Sequence, residues 1–330
     1  MKKLAVVVPV FNEQENLPEM FRRLREVFAR LDAIDAQVIY VNDGSRDRSL
    51  EMMVEQNRQD GRFRIVDLSR NFGQMSALAA GLAHAQADAV VLMDCDLQDP
   101  PEVIVDMVAC WQTGGQVVRA ERRSRAETGL RRLGFDLFHR LFAWISDFPI
   151  PPGSGIFGLL DRKAVQELQR LPEKNRFLPG LRSWIGFDQR TVFYDRQERA
   201  AGAPKQSFRR LLRYALDGIF SFSYKPLRIV MGTGLFISVL GFALAMYFIL
   251  KRLLDIETAQ TGFTTLVSLV LFMGGVQLVA IGLLGEYLGR IYDEVKQRPL
   301  FIVQRTYGLD VGQDSDPDRL NPAGTSGSES

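Results

Sequence analysis

Two aspartates one residue apart, Asp94 and Asp96, end an apolar run over residues 89–93 and are followed by Gln98, Asp99 and the pair Pro100-Pro101. The apolar run reads as a buried strand, and the prolines forbid a helix directly after it. Two carboxylates this close, with no Lys or Arg beside them in the chain, repel one another unless a divalent cation or a strong hydrogen-bonding ligand stands between them. An isolated Asp-x-Asp reads equally well as a solvated turn, because Asp and Pro are ordinary turn formers. The choice between the two readings rests on the surrounding elements.

Two more apolar, β-branched runs precede the pair, over residues 4–8 and 38–41, and a third strand is expected over residues 64–68. Each ends in polar residues: Pro9-Val10-Phe11-Asn12-Glu13, then Asn42-Asp43-Gly44-Ser45, then Ser69-Arg70-Asn71-Phe72-Gly73. Between the runs, Leu17, Met20, Phe21, Leu24, Val27, Phe28 and Leu31 recur at helical spacing. Further helices are expected at about residues 49–56 and, rich in small residues, 76–85. Four β-α repeats with short connections predict right-handed crossovers and a parallel sheet covered by helices. Ligands of such sheets bind beyond the carboxyl ends of the strands. Those ends carry Glu13, Asp43, Arg70 with Asn71, and Asp94 with Asp96. No Gly-x-Gly-x-x-Gly or Walker-type loop follows the first strand, which argues against a dinucleotide enzyme and a P-loop NTPase. The acidic rim suits a sugar nucleotide held through its ring, its ribose and a cation.

Composition narrows the class further. A net charge of +2 over 330 residues argues against a dedicated nucleic-acid binder, and 46% hydrophobic residues suffice for a large core. Cys95 and Cys110 have no metal spacing and fit a reducing compartment. His84 and His139 share no ligand-like spacing and read as structural. Arg119, Arg122, Arg123, Arg125, Arg131 and Arg132 form either a guanidinium cluster for diphosphate or lipid phosphate or a solvated face. Residues 130–148 and 208–222 are basic and amphipathic; the first fits a membrane interface or a buried helix equally well. Residues 229–250 and 263–284 carry no charge, and each run is long enough to cross a bilayer core of about 30 Å. Lys225 and Arg228 before the first run, and Arg290, Lys296 and Arg298 after the second, predict both termini on the cytoplasmic side, against Lys251 and Arg252 in the connection. Gly274, Gly275, Gly282 and Gly285 would permit close helix packing, so a homo-oligomer, up to a tetramer, is expected.

Taken in order, several motifs resemble the membrane-anchored GT-A glycosyltransferases of family 2 that make polyprenyl-phosphate sugars, among them bactoprenol glucosyltransferases and dolichol-phosphate mannose synthases. The likeness spans residues 4–304 and rests on Val-Val-Pro-Val-Phe-Asn-Glu (7–13), Asn-Asp-Gly-Ser (42–45), Arg-Asn-Phe-Gly (70–73), Asp-Cys-Asp-Leu-Gln-Asp-Pro-Pro-Glu (94–102) and Gly-Leu-Leu-Gly-Glu-Tyr-Leu-Gly-Arg-Ile-Tyr (282–292). The resemblance implies an α/β fold: a Rossmann-like, mostly parallel GT-A sheet domain over 1–205 with interfacial amphipathic helices, then a transmembrane hairpin. The expected divisions are a juxtamembrane segment at 206–228, spans at 229–252 and 263–286, a cytoplasmic segment at 287–305 and a disordered tail at 306–330. It further implies that Pro9, Phe11, Glu13 and Asp43 hold the nucleoside of a UDP-sugar, and that Asp94, Asp96 and Gln98 gather Mg²⁺ or Mn²⁺ against the diphosphate. Arg122, Arg131 and Arg132 are then expected on donor or acceptor phosphates, with Arg199 and Lys205 on a segment closing over them. The resemblance also implies undecaprenyl phosphate as the acceptor and the bacterial inner membrane as the setting.

The chain departs from the family at two places. Gly-Asp-Phe-Arg of many relatives is Gly155-Ile156-Phe157-Gly158 here, losing an acid and a guanidinium, and Gly-x-Ser-Lys-Tyr is Gly202-Ala203-Pro204-Lys205-Gln206. A lipid phosphate, largely dianionic at neutral pH, needs no base to attack an anomeric carbon, so the missing acid is survivable. The expectation is therefore hexose transfer, most simply of glucose. The alternatives are transfer of aminoarabinose, an N-acetylhexosamine or mannose, or a catalytically weak nucleotide-binding membrane partner. A processive polysaccharide synthase would need more spans and a Gln-x-x-Arg-Trp element, neither of which is found, and spans without internal charge look like an anchor rather than a flippase or pore.

Overall fold

The computed structural model describes residues 1–122, 155–174, 176–195, 225–253 and 262–309. Strand β1 (Lys2–Val10) lies at the centre of an eight-stranded mixed sheet. It runs parallel to β2 (Ile34–Asn42) on one side and β4 (Ala89–Leu92) on the other, and β2 runs parallel to β3 (Phe63–Leu68). Beyond β4, β6 (Gly158–Asp161) is antiparallel to both β4 and β5 (Val117–Arg122), and β5 is parallel to the edge strand β7 (Gln189–Tyr194). On the far edge β8 (Val303–Tyr307) pairs antiparallel with β3. The order is β7-β5-β6-β4-β1-β2-β3-β8, so the four expected parallel strands form one block of a larger mixed sheet.

Alternate side chains of the strands feed two cores. One face packs under α1 (Leu17–Ala29), α2 (Ser49–Gln59) and α4 (Val103–Gln112), centred on Val6, Val8, Tyr40, Phe63 and Met107. The other packs under α3 (Gln74–His84), α5 (Arg162–Arg170) and α6 (Leu178–Trp184), centred on Ala5, Val7, Val41, Val66 and Leu160. The small residues of α3 have a steric reason: a Cβ at Gly81 would lie 2.2 Å from Val7 Cγ1, so this helix approaches the sheet only with glycine there. His84 Nδ1 donates locally to the Ala80 carbonyl (2.8 Å), a structural role.

After the sheet domain come α7 (Lys225–Leu253) and α8 (Phe263–Val295), both long and apolar enough to cross a membrane. Large apolar side chains such as Leu235, Phe236, Phe242, Leu278 and Val279 face outward and are exposed rather than packed into a core. The end of α8 returns to the sheet domain: Glu294 accepts from the Lys174 backbone N–H (2.8 Å), and Lys174 Nζ donates to the Asp293 carbonyl (2.7 Å). β8 then completes the sheet, extending through Thr306 and Tyr307, two residues past the point where composition alone starts the tail.

Candidate active site

Parallel pairing puts the carboxyl ends of β1 to β4 on one edge. Strands β5 and β7 point the same way, because β6 between β4 and β5 is antiparallel to both. Their last registered pair, Arg122 and Tyr194, therefore reaches the edge that carries Asp94.

The turns after β1 and β2 are joined through side chains. The Asn12 N–H donates to Ser45 Oγ (3.1 Å), Arg46 N–H to Asn12 Oδ1 (2.8 Å) and Glu13 N–H to Ser49 Oγ (2.9 Å). Asn12 holds the left-handed conformation (φ 56°), which Asn tolerates better than most residues. Asn16 Nδ2 donates to the Glu13 carboxylate at 2.6 Å. Buried Asp43 accepts backbone N–H groups from Phe72 (2.7 Å) and Gly73 (2.9 Å), and its carbonyl accepts from Asn71 Nδ2 (3.1 Å). Burial pushes the Asp43 carboxyl above its ordinary range against the pull of those N–H groups. At Gly44 (φ 67°) a Cβ would lie 2.6 Å from the Arg70 carbonyl carbon and the Asn71 nitrogen, so only glycine lets the two loops touch. Pro9, Phe11, Glu13 and Asp43 thus gather at the adjoining ends of β1 and β2, with Phe11 42% exposed and open to a planar ligand. Arg70 stacks over Phe72 at 4.0 Å beside them.

Across the edge, Asp94 accepts from Gln74 Nε2 at 2.6 Å. Asp96 Oδ1 caps the Gln98 N–H (3.1 Å) around Leu97, which has φ 58°. Cys95 between them is buried in the core, and burial keeps its thiol protonated. Burial, and then the charges of Asp96 and Asp99, push the Asp94 carboxyl up to about 7. Such a carboxylate pair is short of positive charge, and its hard oxygen donors suit Mg²⁺ or Mn²⁺ rather than a thiophilic metal. Among the described residues no group of three or more acidic, His or Cys ligands assembles; Asp94 and Asp96 are the carboxylates that would hold such a cation.

Arg122 is the third part of the edge. Its Nε donates to Tyr194 Oη (3.2 Å) and its Nη2 to Asp99 Oδ1 (3.3 Å), while Tyr194 donates a short bond to the same carboxylate oxygen. Tyr194 also packs edge-to-face on Phe157 at 5.7 Å. Arg119, grouped with Arg122 by sequence proximity, lies three positions earlier on the same strand and hence on the opposite face, where it donates to Thr191 (3.3 Å). The two do not form one guanidinium cluster. Arg131, Arg132, Arg199 and Lys205, together with the amphipathic stretches 130–148 and 208–222, lie outside the described residues.

Gly158 packs against backbone and a guanidinium. A Cβ there would meet the Val118 carbonyl oxygen at 2.7 Å and Arg182 Nη1 at 2.9 Å. Arg182, buried on α6, donates to the carbonyls of Ile156 (3.2 Å) and Gly155. A guanidinium from α6 therefore holds the backbone at the start of β6.

Three residues of this edge were not singled out from sequence: Gln74, Asp99 and Tyr194. Asp99 stands inside the acidic motif and was legible there; Gln74 and Tyr194 reach the edge only through tertiary pairing. A groove of about 730 Å³ at the opposite edge, beside Lys2, Asp88, Trp111 and Asp161, shows no comparable convergence. There Lys2 lies over the Trp111 ring (4.5 Å) and Trp111 Nε1 donates to Asp161 (2.9 Å).

Residues 5–168 match the model of the glycosyl transferase family 2, and residues 225–291 match the GtrB C-terminal hairpin. An uncharacterized glycosyltransferase of Synechocystis sp. is 43% identical over 309 residues, 93% of this chain and 96% of that protein. The uncharacterized glycosyltransferase YkcC of Bacillus subtilis is 43% identical over 307 residues, 93% and 94% of the two chains. The SfII prophage-derived bactoprenol glucosyl transferase of Shigella flexneri is 40% identical over 306 residues, 92% and 98% of the two chains. The hairpin match and the two outward-apolar helices mark the chain as membrane-associated. With its mostly parallel GT-A sheet and an acidic edge built on the family's own motifs, the chain belongs to the glycosyl transferase family 2 and is a glycosyltransferase.

Proposed function

We propose that this enzyme moves glucose from UDP-glucose to undecaprenyl phosphate at the cytoplasmic face of a bacterial inner membrane. The observation that carries the reading is the 40% identity to a bactoprenol glucosyl transferase over 92% of the chain. The nucleoside lies across Pro9, Phe11, Glu13 and Asp43. Asp94, Asp96 and Gln98 would hold Mg²⁺ or Mn²⁺, which when bound supplies positive charge to the diphosphate leaving group. Arg122, kept charged and oriented by Asp99 and Tyr194, faces the phosphates, joined by Arg131 and Arg132 and, from a closing segment, Arg199 and Lys205. An oxygen of the lipid phosphate attacks the anomeric carbon from the opposite face as the bond to UDP breaks; UDP leaves with the electron pair, and the configuration inverts. No base is needed, because the attacking phosphate has a second pKa near 6, which agrees with Ile156 standing where relatives carry an acid. Charges flanking the spans favour both termini on the cytoplasmic side, and open glycines on α8, with nothing near an added Cβ at Gly274, Gly275, Gly282 or Gly285, favour a homo-oligomer.

The test is a donor screen with purified full-length protein, undecaprenyl phosphate and Mn²⁺, with the glycolipid identified by mass. Glucosylated lipid from UDP-glucose, formed together with UDP, is the expected result. Nucleotide binding without product from any donor would overturn the reading. Asp96→Asn is expected to cost about 10² to 10³ in rate, the scale for losing one preorganised charge-stabilising group.

A further inference from the structure

Three consecutive residues connect the two acidic halves of the edge. The N–H groups of Phe72 and Gly73 hold the Asp43 carboxylate, and the side-chain amide of Gln74 holds Asp94 at 2.6 Å. Gly73 makes the change of direction possible with φ 94° and ψ 155°, a conformation costly for any other residue. Both ends of this segment are fixed. At its base the Ser69 N–H donates to the Ile302 carbonyl (3.0 Å), and at its top Gln74 opens α3, which is pressed onto β1 through Gly81.

Resting on the cation site proposed above, we infer that Gln74 is a positioning residue that fixes the Asp94 carboxylate for cation binding and ties it to the nucleoside loop. The chemistry favours an amide at this place. A carboxamide N–H orients one carboxylate oxygen while adding no net charge, so the pair keeps the negative charge a cation needs. A lysine in the same position would supply a permanent cation and compete with the metal. An alanine would leave the Asp94 carboxylate free to rotate away from Asp96.

The experiment measures two affinities separately on the full-length protein in detergent: Mn²⁺ by electron paramagnetic resonance of the free ion, and UDP in EDTA by calorimetry. Gln74→Ala is expected to weaken Mn²⁺ binding about tenfold, the size of one charge-assisted hydrogen bond, and to leave metal-free UDP affinity unchanged. Gln74→Lys is expected to abolish Mn²⁺ binding while UDP still binds. Asp43→Asn gives the reverse pattern, weaker UDP with Mn²⁺ unaffected. Unchanged Mn²⁺ affinity in Gln74→Ala overturns the inference. So does a parallel loss of both affinities, because that is the signature of a collapsed loop. Asp96→Asn separates the two levels of the argument. If it loses Mn²⁺ while Gln74→Ala does not, only the role of Gln74 fails; if Asp96→Asn keeps full Mn²⁺ affinity, the cation site itself is misplaced.

Discussion

Tyr194 donates its phenol proton to Asp99, and the Arg122 guanidinium bridges both of them. This joins the end of edge strand β7 to the acidic motif and turns Arg122 into an oriented charge rather than a mobile one. Burial works against that charge, but the bonds to Tyr194 and Asp99 outweigh it and hold the guanidinium above its ordinary pKa. Tyr194→Phe keeps the ring on Phe157 and removes only the hydroxyl. It should lower stability by about 1–3 kcal/mol, because a buried carboxylate loses a donor, and reduce kcat/KM about tenfold through Arg122. Thermal melts and steady-state kinetics with the UDP-sugar check both. A stability loss with full kcat/KM would show that Arg122 does not act on the phosphates.

The carboxyl of Asp94 makes cation binding depend on pH. Its folded-state value of about 7 lies above the ordinary 3.8, so between those values the folded protein keeps a proton that the unfolded chain has released. Stability from this group is therefore full below about pH 4 and is lost as pH rises through about 7. A cation must displace the same proton. Mn²⁺ affinity is expected to climb by up to about tenfold per pH unit below 7 and to level off above it. Titrations between pH 5.5 and 8.5 test this. A flat profile would mean that Asp94 is already ionised and that its burial is relieved by a group outside the acidic pair.

The block β1 to β4 was legible because β1, β2 and β4 carry apolar stretches buried on both faces, β3 carries a short one at Ile65 and Val66, and each strand gives way to polar loop residues. The acidic edge followed from that parallel block. Strands β5 to β8 gave weaker signals. Gly158–Asp161 is only four residues long, Gln189–Tyr194 is half-exposed at an edge, and Val303–Tyr307 is a polar strand that follows a long apolar helix. What decides their pairing is non-local, with partners such as Ile65 and Tyr307 far apart in the chain, and no local period encodes it. The same limit hid Tyr194 and Gln74. The grouping of Arg119 with Arg122 failed for an elementary reason: a strand sends side chains three positions apart to opposite faces.

The close packing around Gly158 can be tested by the smallest side chain. Gly158→Ala should be destabilising by about 1–3 kcal/mol, since a Cβ at 2.7 Å from the Val118 carbonyl oxygen presses on backbone, which cannot move aside as a side chain can. Adding Arg182→Leu relieves only the contact at 2.9 Å with the guanidinium, so the double variant should recover little. Denaturant titrations of the single and double variants measure this. Near-native stability of Gly158→Ala would mean that β5 and β6 are less tightly packed than the carbonyl contact implies.

The chain that leaves the second apolar helix does not simply trail away but closes the sheet. β8 pairs with β3 from Ile65 to Leu68, and the next backbone bond, Ser69 N–H to Ile302 O at 3.0 Å, falls at the base of the loop that grips Asp43 and Asp94. A proline at Arg305, which stands opposite Asp67, cannot donate to the ladder and should cost about 1–3 kcal/mol of stability. If β8 also fixes that loop, Arg305→Pro weakens binding of UDP with Mn²⁺ in step with the loss of pairing, and α8 sets the geometry of the donor edge through a single strand. Hydrogen exchange at Ser69 and Phe72, followed beside UDP calorimetry, discriminates: faster exchange with unchanged affinity would leave β8 as an edge cover and nothing more.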